Sequence, residues 1–134
     1  MEDCIFCKIV NGEISCDKIY EDENFIAVLD ILPMYYGHTL LITKKHFKDI
    51  SEVSSEILSK YLSVANLVAK ALCRTLETDD YHIRINKGKF ARQAVFHVHL
   101  HIIPRMENVT RLRDFKYEDL EKKEFLSKIK ENLN

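Results

Sequence analysis

The stretch Phe96-His97-Val98-His99-Leu100-His101-Ile102-Ile103 carries histidine at every second position, with apolar residues between the histidines. Successive side chains of a β-strand point to opposite faces, so a strand here places all three imidazoles on one face. Val98, Leu100 and Ile102 then face a core on the other side. A buried strand needs no histidine. The strict alternation therefore favours a polar site on a rigid strand over a partly exposed strand that carries histidine by chance.

The length and composition predict a single domain, residues 1–134, with a core of normal size, because 46% of the 134 residues are hydrophobic. The net charge of −1 gives no general attraction to nucleic acid or to an anionic membrane. The acidic start Met1-Glu2-Asp3-Cys4 does not resemble a secretory leader, and no stretch is apolar over the length of a bilayer. We therefore expect a cytoplasmic protein with no nucleic-acid or membrane partner and with reduced or metal-bound cysteines.

Apolar periodicity predicts the order of the secondary-structure elements. A turn or helix is predicted at 4–10, strands at 18–21, 25–29, 38–43, 81–86 and 96–104, a long helix at 54–76 and a C-terminal helix at about 117–133. Ser51 or Ser54 is expected to cap the long helix. The apolar positions of the C-terminal helix are Leu120, Phe125, Leu126, Ile129 and Leu133. This order favours an α+β fold with an antiparallel sheet over repeated parallel βαβ units.

The pair Cys4-x-x-Cys7 has the spacing of half a tetrahedral zinc site. His46 and His97 are the obvious source of the other two ligands, and a site built from all four residues would fix the N-terminal segment 1–15 to the sheet. Two alternatives stay open, a redox pair and two apolar thiols packed beneath a turn. A redox pair usually opens a helix that follows a strand, and no strand is predicted before Cys4. Cys16 is expected to be inert.

The remaining histidines of the triad, His99 and His101, have the chemistry of a nucleophile and an acid–base partner. A neutral imidazole, with a reference pKa of about 6.5, can attack phosphorus and leave again. His99 and His101 are separated by about 6.6–7 Å along a strand, so both can reach one phosphate group. A protonated His101 could stabilise charge or give a proton to the departing atom. A catalytic metal held by His97 and His99 is the competing chemistry.

Three further features could complete a phosphate-ester site. The loop 86–93, Asn-Lys-Gly-Lys-Phe-Ala-Arg-Gln, offers amide and cationic donors for phosphate oxygens, although solvated loops often have this composition. Asp30 follows a strand and could accept hydrogen bonds from a ribose diol, or could simply form a turn. His38 could complete a histidine cluster or be exposed. His82 is expected to be an incidental surface histidine.

Together these residues resemble the histidine triad (HIT) superfamily, in particular its bacterial and Hint-like branch. The family motif alternates histidine with apolar residues, as 97–103 does here. The segments 4–14, 27–30, 37–46 and 86–96 also look like the corresponding family segments, so that the resemblance covers about 4–105. It implies a five-stranded antiparallel sheet with one long and one C-terminal helix, assembled as a homodimer.

The resemblance also implies an activity, a nucleotide hydrolase or transferase acting on purine nucleoside 5′-phosphoramidates or related nucleotides. His99 would attack the α-phosphate, His101 would contact the phosphate or leaving group, and His38 would belong to the same catalytic cluster. Water would then release the nucleoside monophosphate. Alternatives are a dinucleoside polyphosphate hydrolase, a non-catalytic nucleotide-binding module and a zinc-dependent enzyme.

The other roles follow from the same resemblance. Asp30 would bind ribose, and Asn86 and Gln93 would hold phosphate. Zinc-bearing members use a structural zinc whose ligands correspond to Cys4, Cys7, His46 and His97. No catalytic cofactor is expected.

Three departures from the family pattern concern specificity rather than the histidines. Arg92 stands where the family often has glycine, and its side chain could crowd the phosphate loop or add a positive contact. Ala94 replaces a serine found in many Hint-like members. Met34-Tyr35-Tyr36 replaces a loop richer in proline and alanine.

Overall fold

A computed structural model describes residues 3–133. Its strands are β1 (Lys18–Glu21), β2 (Phe25–Leu29), β3 (Thr39–Thr43), β4 (Asp80–Ile85) and β5 (His99–Arg105). Its α-helices are α1 (Ile5–Val10), α2 (Ser55–Leu76) and α3 (Asp119–Asn132), with 3₁₀ turns at Ile50–Glu52 and Lys89–Ala91. The predicted α+β class and the order of the elements are confirmed. No helix in this part of the chain has the length and apolar character needed to cross a membrane.

The five strands form one antiparallel sheet in the order β1-β2-β3-β5-β4, as the resemblance implied. Strands β3 and β5 are neighbours, with Leu40 opposite His101 and Ile42 opposite His99. The long helix α2 connects β3 to the edge strand β4, and β4 then turns back to pair with β5. The histidine strand therefore lies inside the sheet, paired on both sides, which gives its side chains a rigid support.

The two faces of the sheet carry different cores. One face, which includes Leu41, Leu100 and Ile102, forms the main core with α2 and α3. The other face forms a smaller cluster in which Phe6 of α1 packs on strand residues. Those strand residues are Ile26, Val28, Leu40 and Ile42. Because α1 has only six residues, most of this second face stays open to a ligand.

The helix ends are explained by local contacts, and they settle two of the predictions. Ser54, rather than Ser51, caps α2 by accepting a hydrogen bond from the backbone N–H of Ile57 at 3.5 Å. The helix α3 begins at Asp119, two residues later than predicted. The expectation that Leu120 belongs to its apolar face is wrong, because this side chain in the first turn is 66% exposed. Phe125 and Ile129 supply the buried face instead.

The histidine strand begins later than predicted. Strand β5 starts at His99, so His97 lies just before it. The pairing of β3 with β5 ends at Ile42, opposite His99, and the backbone N–H of Val98 bonds instead to the carbonyl of Phe47 at 2.8 Å. The side-chain alternation nevertheless continues, since the ring of Phe6 makes edge contacts with both His97 and His99.

Candidate active site and metal centre

Four of the predicted site residues meet on the open face of the sheet. His99 and His101 extend from β5, His38 immediately precedes β3, and Asp30 immediately follows β2. The ring centroid of His101 lies 5.1 Å from the ring centroid of His99 and 5.2 Å from that of His38. The carboxylate of Asp30 approaches His38 Nε2 at 3.6 Å. The pairing of β2 with β3 and of β3 with β5 creates this cluster.

Hydrogen bonds assign the tautomer of the middle histidine. His99 Nδ1 lies 2.8 Å from the backbone carbonyl of His97, which can only accept, so Nδ1 carries the proton. The lone pair of the neutral ring is then on Nε2. This is the arrangement that a nucleophilic imidazole requires, with one nitrogen held and the other free to attack.

A second chain of hydrogen bonds assigns the other two rings. The backbone N–H of Met34 donates to His38 Nδ1 at 3.0 Å, so the proton of neutral His38 is on Nε2. His38 Nε2 in turn lies 2.9 Å from His101 Nδ1 and donates to it. His101 therefore carries its own proton on Nε2. The Met34 loop, through one backbone amide, makes His101 a proton donor toward a ligand.

Burial keeps these histidines neutral. It lowers the pKa of His38 to about 3 and that of His101 to about 4, with smaller contributions from neighbouring positive charge. It also lowers the pKa of His99, opposed by the hydrogen bond to the His97 carbonyl and by the Asp30 carboxylate. The pKa of Asp30 is raised by burial, against the hydrogen bond that it accepts from the Leu32 amide. At pH 7, His99 is therefore a neutral nucleophile beside the carboxylate of Asp30.

Lowering the pH from 7.5 to 5.5 should destabilise the protein through His38, which is 1% exposed. Its pKa is about 3 in the fold and about 6.5 in an unfolded chain. Between these values the unfolded chain binds a proton that the folded protein does not. His38 therefore lowers the free energy of unfolding as the pH drops below about 6.5, by about 1 kcal/mol at pH 5.5 and in addition to the contribution of His101. Urea titrations of the wild type and His38→Gln at both pH values check this. An equal loss in the variant would contradict it, because the variant has no ring to titrate there.

An apolar pocket of about 410 Å³ opens beside His99. Its walls come from α1 and from strands β2 and β3, through side chains such as Phe6, Ile9, Val28 and Leu40. Asp30 lies at the edge of the pocket, and Ala94 contributes to the wall where a serine was expected from the family pattern. A flat apolar group with a polar substituent near Asp30 would fit these walls.

A polar cleft of about 490 Å³ adjoins this pocket, since Asp30, Leu32 and His101 line both. Asn86 lines the polar cleft, where its amide donates a hydrogen bond to the carbonyl of Arg92 at 3.4 Å. Arg92 also lines the cleft.

Gln93 is the one residue among the predicted catalytic and substrate-binding residues that lines neither space. It is buried, and its side-chain oxygen accepts a hydrogen bond from the backbone N–H of Gly88 at 2.9 Å. Its amide nitrogen donates to the carbonyls of Lys48 and Val95 at 2.8 and 3.1 Å. Gln93 thus fixes the shape of the 88–93 loop, and its predicted contact with phosphate stays a prediction.

The backbone at Arg92 explains why glycine suits this position. Its φ of 64° and ψ of 37° lie in the left-handed region, which favours residues without a Cβ. We expect Arg92→Gly to stabilise the protein by about 0.5–1 kcal/mol, because the relieved strain exceeds the entropy lost with glycine. Glu77→Gly, at another left-handed position with a φ of 57°, is the matched control and should also stabilise. Urea denaturation measures both. A destabilised Arg92→Gly beside a stabilised Glu77→Gly would show that the Arg92 side chain contributes more than its strain costs.

The four predicted metal ligands converge, and their ligand atoms lie within 4.8 Å of one another. His97 Nδ1 is 3.3 Å from Cys4 Sγ, 3.5 Å from Cys7 Sγ and 3.1 Å from His46 Nδ1, and Cys7 Sγ is 3.2 Å from His46 Nδ1. Zinc bonds of about 2.3 Å to sulfur and 2.0–2.1 Å to nitrogen give tetrahedral edges of roughly 3.3–3.8 Å. The donor set therefore fits zinc with little adjustment.

Hydrogen bonds with neighbouring backbone groups orient the side chains of this cluster for metal binding. His97 Nε2 donates to the carbonyl of Thr43 at 2.7 Å, which leaves Nδ1 unprotonated and aimed at the cysteines. The backbone N–H of Cys7 donates to Cys4 Sγ at 3.3 Å. Burial and the adjacent Cys4 raise the pKa of the Cys7 thiol to about 11, so this sulfur needs a cation to become a thiolate at pH 7. His97 is thus engaged with the cysteines, and no group of three or more converging ligands among residues 3–133 contains both His97 and His99.

Several contributors to the site were missed in the sequence. The amide of Met34 and the carbonyl of Thr43 are backbone groups, and no residue type signals them. Arg84 and Arg111 line the polar cleft, although they are distant from the triad in sequence. The position of Arg84 on one face of its strand could have been predicted, because alternation along the strand predicted at 81–86 puts it on the same face as His82. The pairing of β4 with β5 then places Arg84 opposite His101.

A comparison with known protein families decides the assignment. The HIT domain profile matches residues 11–108. This chain belongs to the HIT family. The resemblance based on the triad is therefore confirmed.

Two curated relatives carry names that describe an activity. Adenylylsulfatase HINT3 of Arabidopsis thaliana is 38% identical over 105 residues, which cover 78% of this chain and 53% of that protein. The chain thus spans about half the length of that relative. Adenosine 5′-monophosphoramidase hnt1 of Schizosaccharomyces pombe is 42% identical over 102 residues, 76% of this chain and 74% of that protein. The HIT family thus includes nucleotide hydrolases.

A solved structure gives the same fold. The Zn-bound histidine triad family protein from Mycobacterium smegmatis superposes with a TM-score of 0.85 at 37% identity, over 98% of this chain and 94% of that one. The five-stranded HIT fold is thereby confirmed, and a zinc-containing relative shares it.

Proposed function

We propose that this HIT protein is a nucleotide hydrolase or transferase that cleaves at the α-phosphate of adenosine 5′-phosphoramidates or related purine nucleotides. The observation that carries the proposal is the hydrogen bond from His99 Nδ1 to the His97 carbonyl, which leaves Nε2 as a buried lone pair. His101 beside it presents a proton. A nucleophile and a hydrogen-bond donor whose rings lie about 5 Å apart, between an apolar pocket and a polar cleft, suit nucleotidyl transfer.

The apolar pocket and the polar cleft hold different parts of the substrate. The base lies in the apolar pocket between Phe6 and Leu40, and the ribose hydroxyls donate to the Asp30 carboxylate. The α-phosphate then lies beside His99 and His101, with the leaving group in the direction of the polar cleft. Asn86 lines that cleft and is placed to donate to a phosphate oxygen.

The reaction proceeds in two balanced steps. His99 Nε2 forms a bond to the α-phosphorus while the bond to the leaving nitrogen breaks. His101 Nε2–H donates a hydrogen bond to that nitrogen, which takes up its proton from solvent. Water then attacks the phosphorus and loses a proton to solvent, and the bond to His99 breaks to release AMP. His38 is a positioning residue, because it fixes the tautomer of His101 from its buried side.

The metal centre has a structural role in this proposal. Cys4, Cys7, His46 and His97 would hold zinc, which joins α1 to the sheet. The zinc-bound relative supports this assignment. The ring of Phe6, between the two cysteines, contacts the His99 ring edge-on with centroids 4.9 Å apart. The centre would thereby hold one wall of the apolar pocket against the nucleophile.

A homodimer, which the family resemblance implies, is part of the same proposal. Strand β4 forms one edge of the sheet, where its outer backbone groups can pair with another chain. Leu58 and Leu62 on α2 are 44% and 60% exposed and would add apolar contact area. Sedimentation equilibrium of the wild type and Leu62→Glu tests this, with a monomeric wild type as the contradicting result.

Turnover of adenosine 5′-phosphoramidate by the zinc-loaded protein tests the enzymatic proposal. We expect AMP and ammonia in equal amounts, with AMP as a competitive inhibitor that occupies the same two spaces. A non-catalytic nucleotide-binding module is the second candidate, because HIT proteins can bind nucleotides and the site departs from the family at Arg92. AMP binding at micromolar affinity without any turnover of phosphoramidate, adenylyl sulfate or diadenosine triphosphate would favour that candidate.

A further inference from the structure

Three arginines converge on the polar cleft next to His101. Arg84, Arg92 and Arg111 all line it. They come from three separate parts of the chain, and neither of the two spaces contains a lysine or another arginine among residues 3–133. The apolar pocket, which adjoins the cleft at His101, has no cationic side chain in its lining.

Each arginine is directed to the cleft by a distinct backbone feature. Arg84 on β4 pairs with His101, and its guanidinium lies 3.7 Å from the sulfur of Met34. Arg92 adopts the left-handed conformation, with its carbonyl bonded to the Asn86 amide. The segment that carries Arg111 is fixed by a hydrogen bond from the Leu112 amide to the Met34 carbonyl at 2.8 Å.

These three charges have no acidic partner among residues 3–133. None of the three arginines forms an ion pair within 4.0 Å with a carboxylate of the described residues, whereas five lysine–carboxylate pairs occur there. Asp30 is the acidic residue in the lining, and its two oxygens face the Leu32 amide and His38. Uncompensated guanidinium groups beside a reaction centre favour an anionic ligand with several oxygens, which they can bind by paired hydrogen bonds.

We propose that this arginine cleft is the leaving-group site and that it selects nucleotides whose leaving group is a tetrahedral oxyanion, either sulfate or a phosphate chain. The proposal rests on the proposed function, since it places the α-phosphate at His99. When His99 forms its bond to phosphorus, the P–O bond to the leaving group breaks and the leaving oxygen keeps the electron pair. The sulfate or phosphate anion that leaves in this way is a weak base and needs no proton. The arginines stabilise the negative charge that develops on the departing oxygens.

The test compares leaving groups in arginine variants. The kcat/KM values are measured for adenosine 5′-phosphoramidate, adenylyl sulfate and diadenosine triphosphate. In Arg84→Met and Arg111→Met, the ratio of kcat/KM for an anionic leaving group to that for the phosphoramidate should fall about tenfold, the effect of one charge-assisted hydrogen bond. Arg113→Met is the matched control, because Arg113 is exposed two residues away and does not line the cleft; its ratio should equal that of the wild type.

The outcomes separate the possible leaving groups. If the kcat/KM ratio falls for adenylyl sulfate alone, the leaving group is sulfate. If it falls for diadenosine triphosphate alone, the leaving group is a phosphate chain. Either fall supports the arginine cleft as the leaving-group site. Ratios that stay at the wild-type value in both arginine variants would overturn the proposal while leaving the proposed function intact.

A binding measurement keeps the two proposals distinguishable if no substrate is turned over. The wild type should bind the α,β-methylene analogue of ADP at least tenfold more tightly than AMP, and Arg111→Met should lose this preference. Equal affinities in the wild type would reject the cleft, whatever the activity. A clear preference in a protein without turnover would support the cleft and reject the enzymatic function.

Discussion

His99→Ala should lower kcat/KM for AMP release from adenosine 5′-phosphoramidate by roughly 10⁴-fold or more, the usual effect of removing a nucleophile. The hydrogen bond to the His97 carbonyl makes Nε2 of this ring the free lone pair in the site. Stability should change little by comparison, since the ring lines a cavity on one side. Steady-state kinetics with circular dichroism as a folding check measures both quantities.

The matched control for this prediction is His82→Ala. His82 lies on the adjacent strand β4, two residues before Arg84, and is exposed. Its removal should leave kcat/KM within about twofold of the wild type. If His99→Ala retains more than a tenth of the wild-type value, water attacks phosphorus directly and the covalent step is wrong.

Removal of zinc should have the second largest effect, on stability and activity together. A ligand that binds only the folded protein stabilises it by about 4 kcal/mol when its free concentration is a thousandfold above Kd. The donor set of Cys4, Cys7, His46 and His97 does not exist in the unfolded chain. Chelation, or Cys7→Ser, should therefore lower the urea midpoint strongly. It should also lower kcat/KM, because the contact of Phe6 with His99 depends on the position of α1.

Cys16→Ser is the control for this experiment, since Cys16 is an exposed cysteine outside the cluster. It should retain the wild-type midpoint and one zinc per chain. Chelation that abolishes activity while the midpoint stays unchanged would contradict a structural metal and point to a metal that acts in the reaction itself.

The sequence was most informative where a local period determines geometry. Alternation along 97–103 predicted correctly that His99 and His101 share a face and that Leu100 and Ile102 point to the core. The spacing of Cys4 and Cys7, with two histidines left to pair with them, predicted a four-residue cluster that the fold assembles. Such patterns succeed because strand and turn geometry relate neighbouring side chains directly.

The parts that were missed depend on contacts between distant segments. The start of β5 at His99 follows from the end of its pairing with β3 at Ile42, which the histidine stretch does not encode. Gln93 turns into the loop because positive φ values at Gly88 and Arg92 fold the backbone around its side chain. Arg111 reaches the cleft only through the bond between Leu112 and Met34. The spacing of residues along one segment contains no information about these contacts between distant segments.

The most direct test of nucleotidyl transfer through His99 is intact-mass spectrometry of the zinc-loaded protein, quenched rapidly after mixing with adenosine 5′-phosphoramidate. The wild type should carry an AMP-sized covalent adduct that decays as AMP appears, localises to His99 by peptide mapping and is absent from His99→Ala. AMP release without any adduct at the shortest mixing times, at equal rates in the wild type and His99→Ala, would contradict it.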